Sequence, residues 1–368
     1  MFATLTGPWP RILADGTSLA TMEADAGVGD AAALNAATEA LVRETLAVQV
    51  AAGLEPLTDG QVRWPGLALA VATALDGIVT GEDPGKGRRL SAASLPERTR
   101  PILVAAWQAA SSIAASVAGE AEVPAPVVKQ AVPGPYTLGM AIDPGRLGRE
   151  RLVLALADAL AGELADLAAA GCTVVEVEEP AAVRIGADGA SRTLFLEAQR
   201  RLLAAVPELH ATLAIPGGSA DAAGAETILG APYRSFLFDL IAGPDNWRLV
   251  AAAPAERGIV CGALRLDGRG GDPAPLLAWA ARYAAATNGR GTARVGLTNA
   301  GSLAALTPAA AADRVRVLGR VTRLAAMAPA EAIETGLDPR AFDARTAALG
   351  TARRPPRRPP RPPTPRDG

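Results

Sequence analysis

The sequence predicts an α/β chain folded as a single-domain (β/α)8 TIM barrel, and three observations carry that prediction. Short β-branched or apolar runs bounded by Gly, Pro, Asn or Asp alternate with longer Ala/Leu/Arg stretches of helical period. The strand candidates number about eight, which favours closure of a parallel sheet over an open one. The chain has 368 residues, 49% of them hydrophobic, enough for one large core. An open doubly wound sheet is the second choice, because no strand runs into GxGxxG; GRGG at 268–271 and GRG at 289–291 have the wrong spacing and read as turns.

The elements follow in order. Phe2–Leu5 is the first strand, and a helix is expected over 30–52. Glu55–Leu57 is the second strand, and the connection 58–126 that follows is too long for a barrel loop. A helical insertion is expected there, with a mobile stretch at 81–95 and a helix over 95–120. Val127–Ala131, Thr173–Val177, His210–Ile215, Ser235–Leu240, Ile259–Leu264 and Arg294–Leu297 supply the remaining strands. Helices are expected near 148–170, 188–206, 220–230, 244–256, 273–287 and 308–327, the barrel occupying 1–330. A C-terminal helix falls within 331–350, and the Pro/Arg-rich tail 351–368 is expected to be disordered.

Composition narrows the function classes. Net charge is −2, and the tail alone carries +5, so the body stands at −7, the total less the tail. An acidic body offers no general attraction to nucleic acid or anionic lipid. The tail could meet an SH3-like groove or an anionic partner. The N-terminus has no basic region followed by a long apolar run and the apolar stretches are too short to span a bilayer, so a cytoplasmic protein without membrane contact is expected. Cys172 and Cys261 are too few for a disulfide framework and read as buried small hydrophobes.

A barrel carries its reactive groups where the strands stop. Those places read Thr6-Gly7-Pro8-Trp9-Pro10-Arg11, Thr58-Asp59-Gly60-Gln61-Val62-Arg63, Gly134-Pro135-Tyr136-Thr137 and Val174-Val175-Glu176-Val177-Glu178-Glu179-Pro180. Alternation turns Glu176 and Glu178 to one face and the valines to the other. Inward carboxylates need partners, for which Arg11, Arg63 and Lys129 are at hand, forming either a polar pocket for a small substrate with a cationic group or an internal ion-pair layer. His210, the one histidine, is the candidate hydrogen-bond donor or proton carrier.

These strand ends together resemble the catalytic barrel of cobalamin-independent methionine synthases. TGPWPR is similar to the family's GSFPR-like opening, GLEPLTDGQVR to GLD-x-x-x-DGE-x-R, VKQAVPGPYTL to VK-x-x-x-x-GP-x-T, and AGCTVVEVEEPA to AGC-x-x-IQIDEPA, over roughly residues 3–328. The resemblance implies methyl transfer from a folate-type donor to a thiol held as a zinc thiolate, a step in methionine biosynthesis. It implies substrate contacts at Arg11, Gln61, Arg63, Lys129, Thr137, Glu178 and Glu179, with Glu178 and His210 as the catalytic pair. The ligands it implies fall at His210, Thr212, Asp239 and Ala300, so both thiolate positions are lost and zinc, held by His210 and Asp239 at most, is expected to be weak or absent. The expected function is a diverged methyltransferase of this type; a silent ligand- or partner-binding barrel and a metal-free lyase or decarboxylase are the alternatives.

Overall fold

The computed structural model describes residues 1–25, 31–83, 87–267 and 273–327. Seven parallel strands form the central sheet: β1 (Phe2–Ala3), β4 (Gln130–Pro133), β5 (Val174–Glu178), β6 (His210–Ile215), β7 (Ser235–Asp239), β8 (Gly258–Leu264) and β9 (Val295–Asn299), in the order β1-β9-β8-β7-β6-β5-β4. Every inward or outward residue of β7, β8 and β9 is buried, as expected of strands covered on both faces.

The expected second strand is not a ladder strand. Glu55–Leu57 lies between the two edges of the sheet, where Glu55 N–H donates to Ala3 O (2.9 Å), Leu57 N–H to Val127 O (2.8 Å) and Lys129 N–H to Leu57 O (2.9 Å). Pro56 has no N–H, which interrupts the donor pattern a ladder requires. Its carbonyl instead accepts from Thr4 Oγ1 at 2.7 Å.

The insertion is also different from the expectation. Between α3 (Leu67–Thr73) and α4 (Val104–Glu120) the chain forms an antiparallel β-hairpin of β2 (Asp76–Asp83) and β3 (Gly87–Glu97), where a helical insertion and a mobile 81–95 were expected. The physical reason lies in the sequence: Ile78-Val79-Thr80 is β-branched, and a Pro-Gly pair stands between two runs that pair in one register from Ile78↔Ala92 to Asp83↔Gly87. The hairpin also moves the start of α4 from 95 to Val104. Buried Glu163 of α6 (Arg149–Ala169) fixes that start, accepting the N–H groups of Ile102 and Leu103, an anion at the positive end of the helix.

The remaining helices clothe the sheet near their expected positions. They include α2 (Ala31–Ala52), α7 (Gly189–Leu203), α10 (Ala274–Ala286) and α11 (Pro308–Ala326), while 220–230 and 244–256 shrink to α8 (Ala225–Leu229) and α9 (Trp247–Ala252) with short 3-10 turns before them. α1 (Leu19–Asp25) and α5 (Pro135–Ala141) were not expected. On α2, Leu41, Val42, Thr45, Leu46, Gln49 and Ala52 form the buried stripe. Thr45 and Gln49 are its polar members, and the Gln49 amide exchanges bonds with Thr58 O (2.7 Å) and Thr58 N (3.1 Å), so α2 fixes the turn that follows Leu57. The expected helix within 331–350 and the tail 351–368 lie outside the described residues. Among the described residues no helix is long and apolar enough to cross a membrane.

Candidate active site at the strand ends

Period-two alternation places Glu176 and Glu178 of β5 on the inner face, and each finds a different environment. Glu176 is 2% exposed; it ion-pairs with Lys129 Nζ, itself 5% exposed, and accepts from Thr6 Oγ1 at 2.6 Å. One residue pair higher, Glu178 keeps partial access to solvent and accepts from Gln61 Nε2 at 2.6 Å. Burial among protein atoms and the nearby negative Glu176 push its carboxyl up to about 7, against the opposing pull of Gln61, Lys129 and the Gly7 N–H. A carboxyl so placed changes charge near neutrality.

The turn after Leu57 aims Gln61 at Glu178. Gly60 has φ 67° and no room for a side chain, since a Cβ there would stand 2.6 Å from Trp9 Cβ. Gln61 itself has φ 56°, an uncommon conformation for a residue with a side chain. Asp59 holds the turn by accepting from Gln61 N–H at 2.9 Å. Its other oxygen, Oδ2, is buried with no partner, and burial raises the Asp59 carboxyl above the ordinary range. Nearby, Arg63 donates to Glu39 at 2.6 Å through Nη1, while Nε and Nη2 are buried without partners. Thr6 and Asp59 were not singled out in the sequence, although both stand in the strand-end strings.

Other expected site residues have structural work. Glu179 accepts from Tyr136 N (3.0 Å), Thr137 N (2.7 Å), Thr137 Oγ1 (2.6 Å) and Gln199 Nε2 (2.7 Å), which leaves it no free acceptor for a substrate. Thr137 is thereby engaged with Glu179 and the Ala181 N–H. Arg11 forms a two-pronged pair with Glu23 and donates to Val62 O at 2.9 Å, tying the first strand end to the Gln61 turn.

The structure separates His210 from the rest. It is the first residue of β6, as in the expected strand His210–Ile215, and its Nε2 lies 2.8 Å from Ser235 Oγ. The registers Thr212↔Ser235 and Glu178↔Ala214 place His210 six residue steps from Asp239 and four from Glu178, about 20 Å and about 13 Å at roughly 3.3 Å per residue. The expected catalytic pair with Glu178 and the expected metal pair with Asp239 are both excluded by that spacing. The strand expected over His210–Ile215 is the one found; the error lay in carrying the ligand positions of the resemblance to His210 and Thr212, when the residues at the mouth end of β6 are Ile215-Pro216-Gly217.

A zinc ion does not fit the donors present at the mouth. Asp239 is committed to the N–H groups of Gly217 (3.1 Å), Ile241 (3.0 Å) and Ala242 (2.8 Å). Thr212 is mid-strand, and Ala300 has no donor atom in its side chain. Cys172 and Cys261 are buried, their thiols pushed up to about 11 and about 12 by desolvation, so neither supplies a thiolate. Among the described residues, no three His, Cys, Asp or Glu side chains converge as a metal site.

A curled parallel sheet covered by helices, with its acids and amides gathered at the carboxyl ends of the strands, is a TIM-like barrel. Residues 1–199, more than half of the chain, match the model of the cobalamin-independent synthase catalytic domain, and the chain belongs to that family. Its fold is similar to that of a B12-independent methionine synthase from Shewanella sp. W3-18-1 in complex with selenomethionine (TM-score 0.69, 13% identity, 87% of this chain and 96% of that one). It is similar also to a protein assigned as a vitamin-B12-independent methionine synthase from Listeria monocytogenes (0.68, 17%, 88% and 98%) and to a methyltransferase from Methanosarcina mazei (0.55, 13%, 88% and 93%). At these identities the likeness is one of fold. A search among curated proteins finds no sequence match.

Proposed function

We propose that this chain is a diverged methionine-synthase-like methyltransferase, moving a methyl group from a folate-type donor to a thiol or related small acceptor with an amino-acid head group. The observation that carries the reading is Glu178: a partly accessible carboxyl at a strand end, steadied by Gln61 and titrating near neutrality. An ammonium group placed against Glu178 Oε2 would favour the ionised form and donate a charge-assisted hydrogen bond to it. The Lys129–Glu176–Thr6 group beneath holds the floor of that pocket and contributes no free charge to the substrate. Arg63 is the cation this reading assigns to a substrate anion, a contact that requires its buried Nε or Nη2 to turn outward.

The selenomethionine in the Shewanella complex is an α-amino acid, the head group this reading assigns to the acceptor. The family's zinc thiolate is no part of the proposal, because the thiolate positions are Thr212 and Ala300. What these residues supply is binding and orientation of the acceptor, with Glu178 holding or releasing a proton. A cytoplasmic location belongs to the same reading.

The test is calorimetry of homocysteine and of methionine with the wild-type chain and with Glu178→Gln, beside an assay of methyl transfer from methyl-folate to homocysteine. Binding that weakens at least about tenfold in the variant is expected, a loss of about 1.4 kcal/mol or more. Equal dissociation constants would return Glu178 to a structural role. Binding without transfer would favour the silent barrel.

A further inference from the structure

At the opposite end of the barrel from Glu178, the loops before β6, β7, β8 and β9 enclose a cavity of about 290 Å³. Its lining includes His210, Arg234, Arg257, Arg294, Ser235 and Glu256. Three guanidinium groups against one carboxylate is an excess of positive charge in a body that is otherwise acidic. Among the described residues none of the three arginines has a carboxylate at ion-pair distance. Arg234 donates to Pro207 O at 2.7 Å and Arg257 to Tyr233 O, bonds that orient each head group and leave its charge uncompensated. Glu256, the one acid on the rim, also interacts with buried Arg290 beyond the cavity.

We propose that this N-terminal cavity is a binding site for a small dianionic oxyanion, a phosphate or a phosphate monoester, seated among His210, Arg234, Arg257 and Arg294 and separate from the strand-end site. Planar guanidinium forks suit tetrahedral oxyanions, and oriented ones lose less freedom on binding. The volume suits a phosphate with a short substituent and excludes a folate-sized ligand. His210 completes the wall as a hydrogen-bond donor of variable charge. Its imidazole is held below the ordinary range by burial and by the charge of Arg234, and an anion would offset that charge and raise it again; Glu256, Arg257 and Arg294 are the other charged groups that line the same cavity. A metabolite binding here would act on the barrel from the end that does no chemistry.

The single histidine makes the test direct, since the chain has one imidazole resonance. With ¹³C-labelled histidine, inorganic phosphate is titrated into the full chain against sodium chloride at equal ionic strength, and the His210 signal is followed across pH. A saturable shift with phosphate, a rise in the His210 pKa, and an affinity about tenfold weaker in Arg294→Gln are expected, the loss of one charge-assisted contact. Arg294 is exposed, so this variant keeps the fold; Arg234→Gln is the second arm and should weaken binding and raise the free His210 pKa. Glu178→Gln should leave phosphate affinity unchanged. A response equal in chloride and phosphate, or a saturable one that neither arginine substitution weakens, overturns the site.

Discussion

β5 and β6 are neighbours in the sheet, yet they carry their polar chemistry at opposite ends. β5 delivers Glu176, Glu178 and Glu179 to the mouth, where each has a hydrogen-bonded partner in a different element. β6 begins with His210, half-buried beside arginines anchored on carbonyl oxygens, and ends at the mouth with Ile215, which has nothing to offer chemically. The difference teaches that type of residue is a poor guide to a barrel site until its position along the strand is known. At the mouth Glu176 is compensated by Lys129 while Glu178 and Glu179 are held by neutral donors; among the described residues the three arginines at the far end have no carboxylate at ion-pair distance.

The largest effect that would sharpen this comparison is in the buried pair. Lys129→Met leaves Glu176 buried with Thr6 alone and should destabilise the chain by about 3–5 kcal/mol, whereas Lys129→Met with Glu176→Leu should recover most of that loss. Chemical denaturation of the three proteins checks it. A single variant as stable as wild type would show that the pair is not carrying the mouth.

Adjacent Glu179 and Glu178 should then part company. Glu179→Gln places an amide donor against either the Thr137 donors or those of Tyr136 and Gln199 and should cost about 2 kcal/mol of stability, while Glu178→Gln costs none and weakens amino-acid binding by about 1.5–3 kcal/mol. Equal stability losses in thermal melts would merge the two roles.

The pH dependence follows from the direction of each shift. Glu178 is raised in the folded chain from 4.5 to about 7, so its contribution to stability is fully present below 4.5 and is lost as pH rises through about 7. Binding of an ammonium group needs the carboxylate and should strengthen over the same interval. Glu178→Gln should flatten both curves, as read by melts and calorimetry between pH 5 and pH 8; curves that keep their slopes would place the titration elsewhere.

The smallest effect belongs to the far end. His210 is lowered, so stability is present above 6.5 and falls as pH drops through its folded value; His210→Gln should change stability at neutral pH by under about 1 kcal/mol and reduce that acid-side loss. A steep loss of methyl transfer in this variant would break the separation of the two ends.

Much of the mouth was legible because its signals are local. Alternation alone set Glu176 and Glu178 on one face, and Lys129 inside an apolar run announced a buried partner. The role of Glu179 was hidden because its donors come from α5 and α7, brought together only by packing. His210 stood at a strand start in the sequence as in the structure; its role was misread because the resemblance matched it to a ligand position of the mouth, four residue steps along the ladder from Glu178. The hairpin was missed because its turn residues were read as mobility, although they sit between runs able to pair.

The segment across the sheet edges has a consequence for the site's rigidity. Thr6, which holds Glu176, follows β1 on one side of that seam, and Lys129, its ion-pair partner, lies on the other; the Gln61 turn grows directly from the seam's end. A full ladder strand would clamp these groups with a bond at every second residue, but here a few contacts around Pro56 set the spacing between them. Amide exchange at Glu55 and Leu57 is therefore a gauge of how tightly the mouth is held, and small changes in this one segment would tune the spacing between Thr6, Gln61 and Lys129 without replacing any of them.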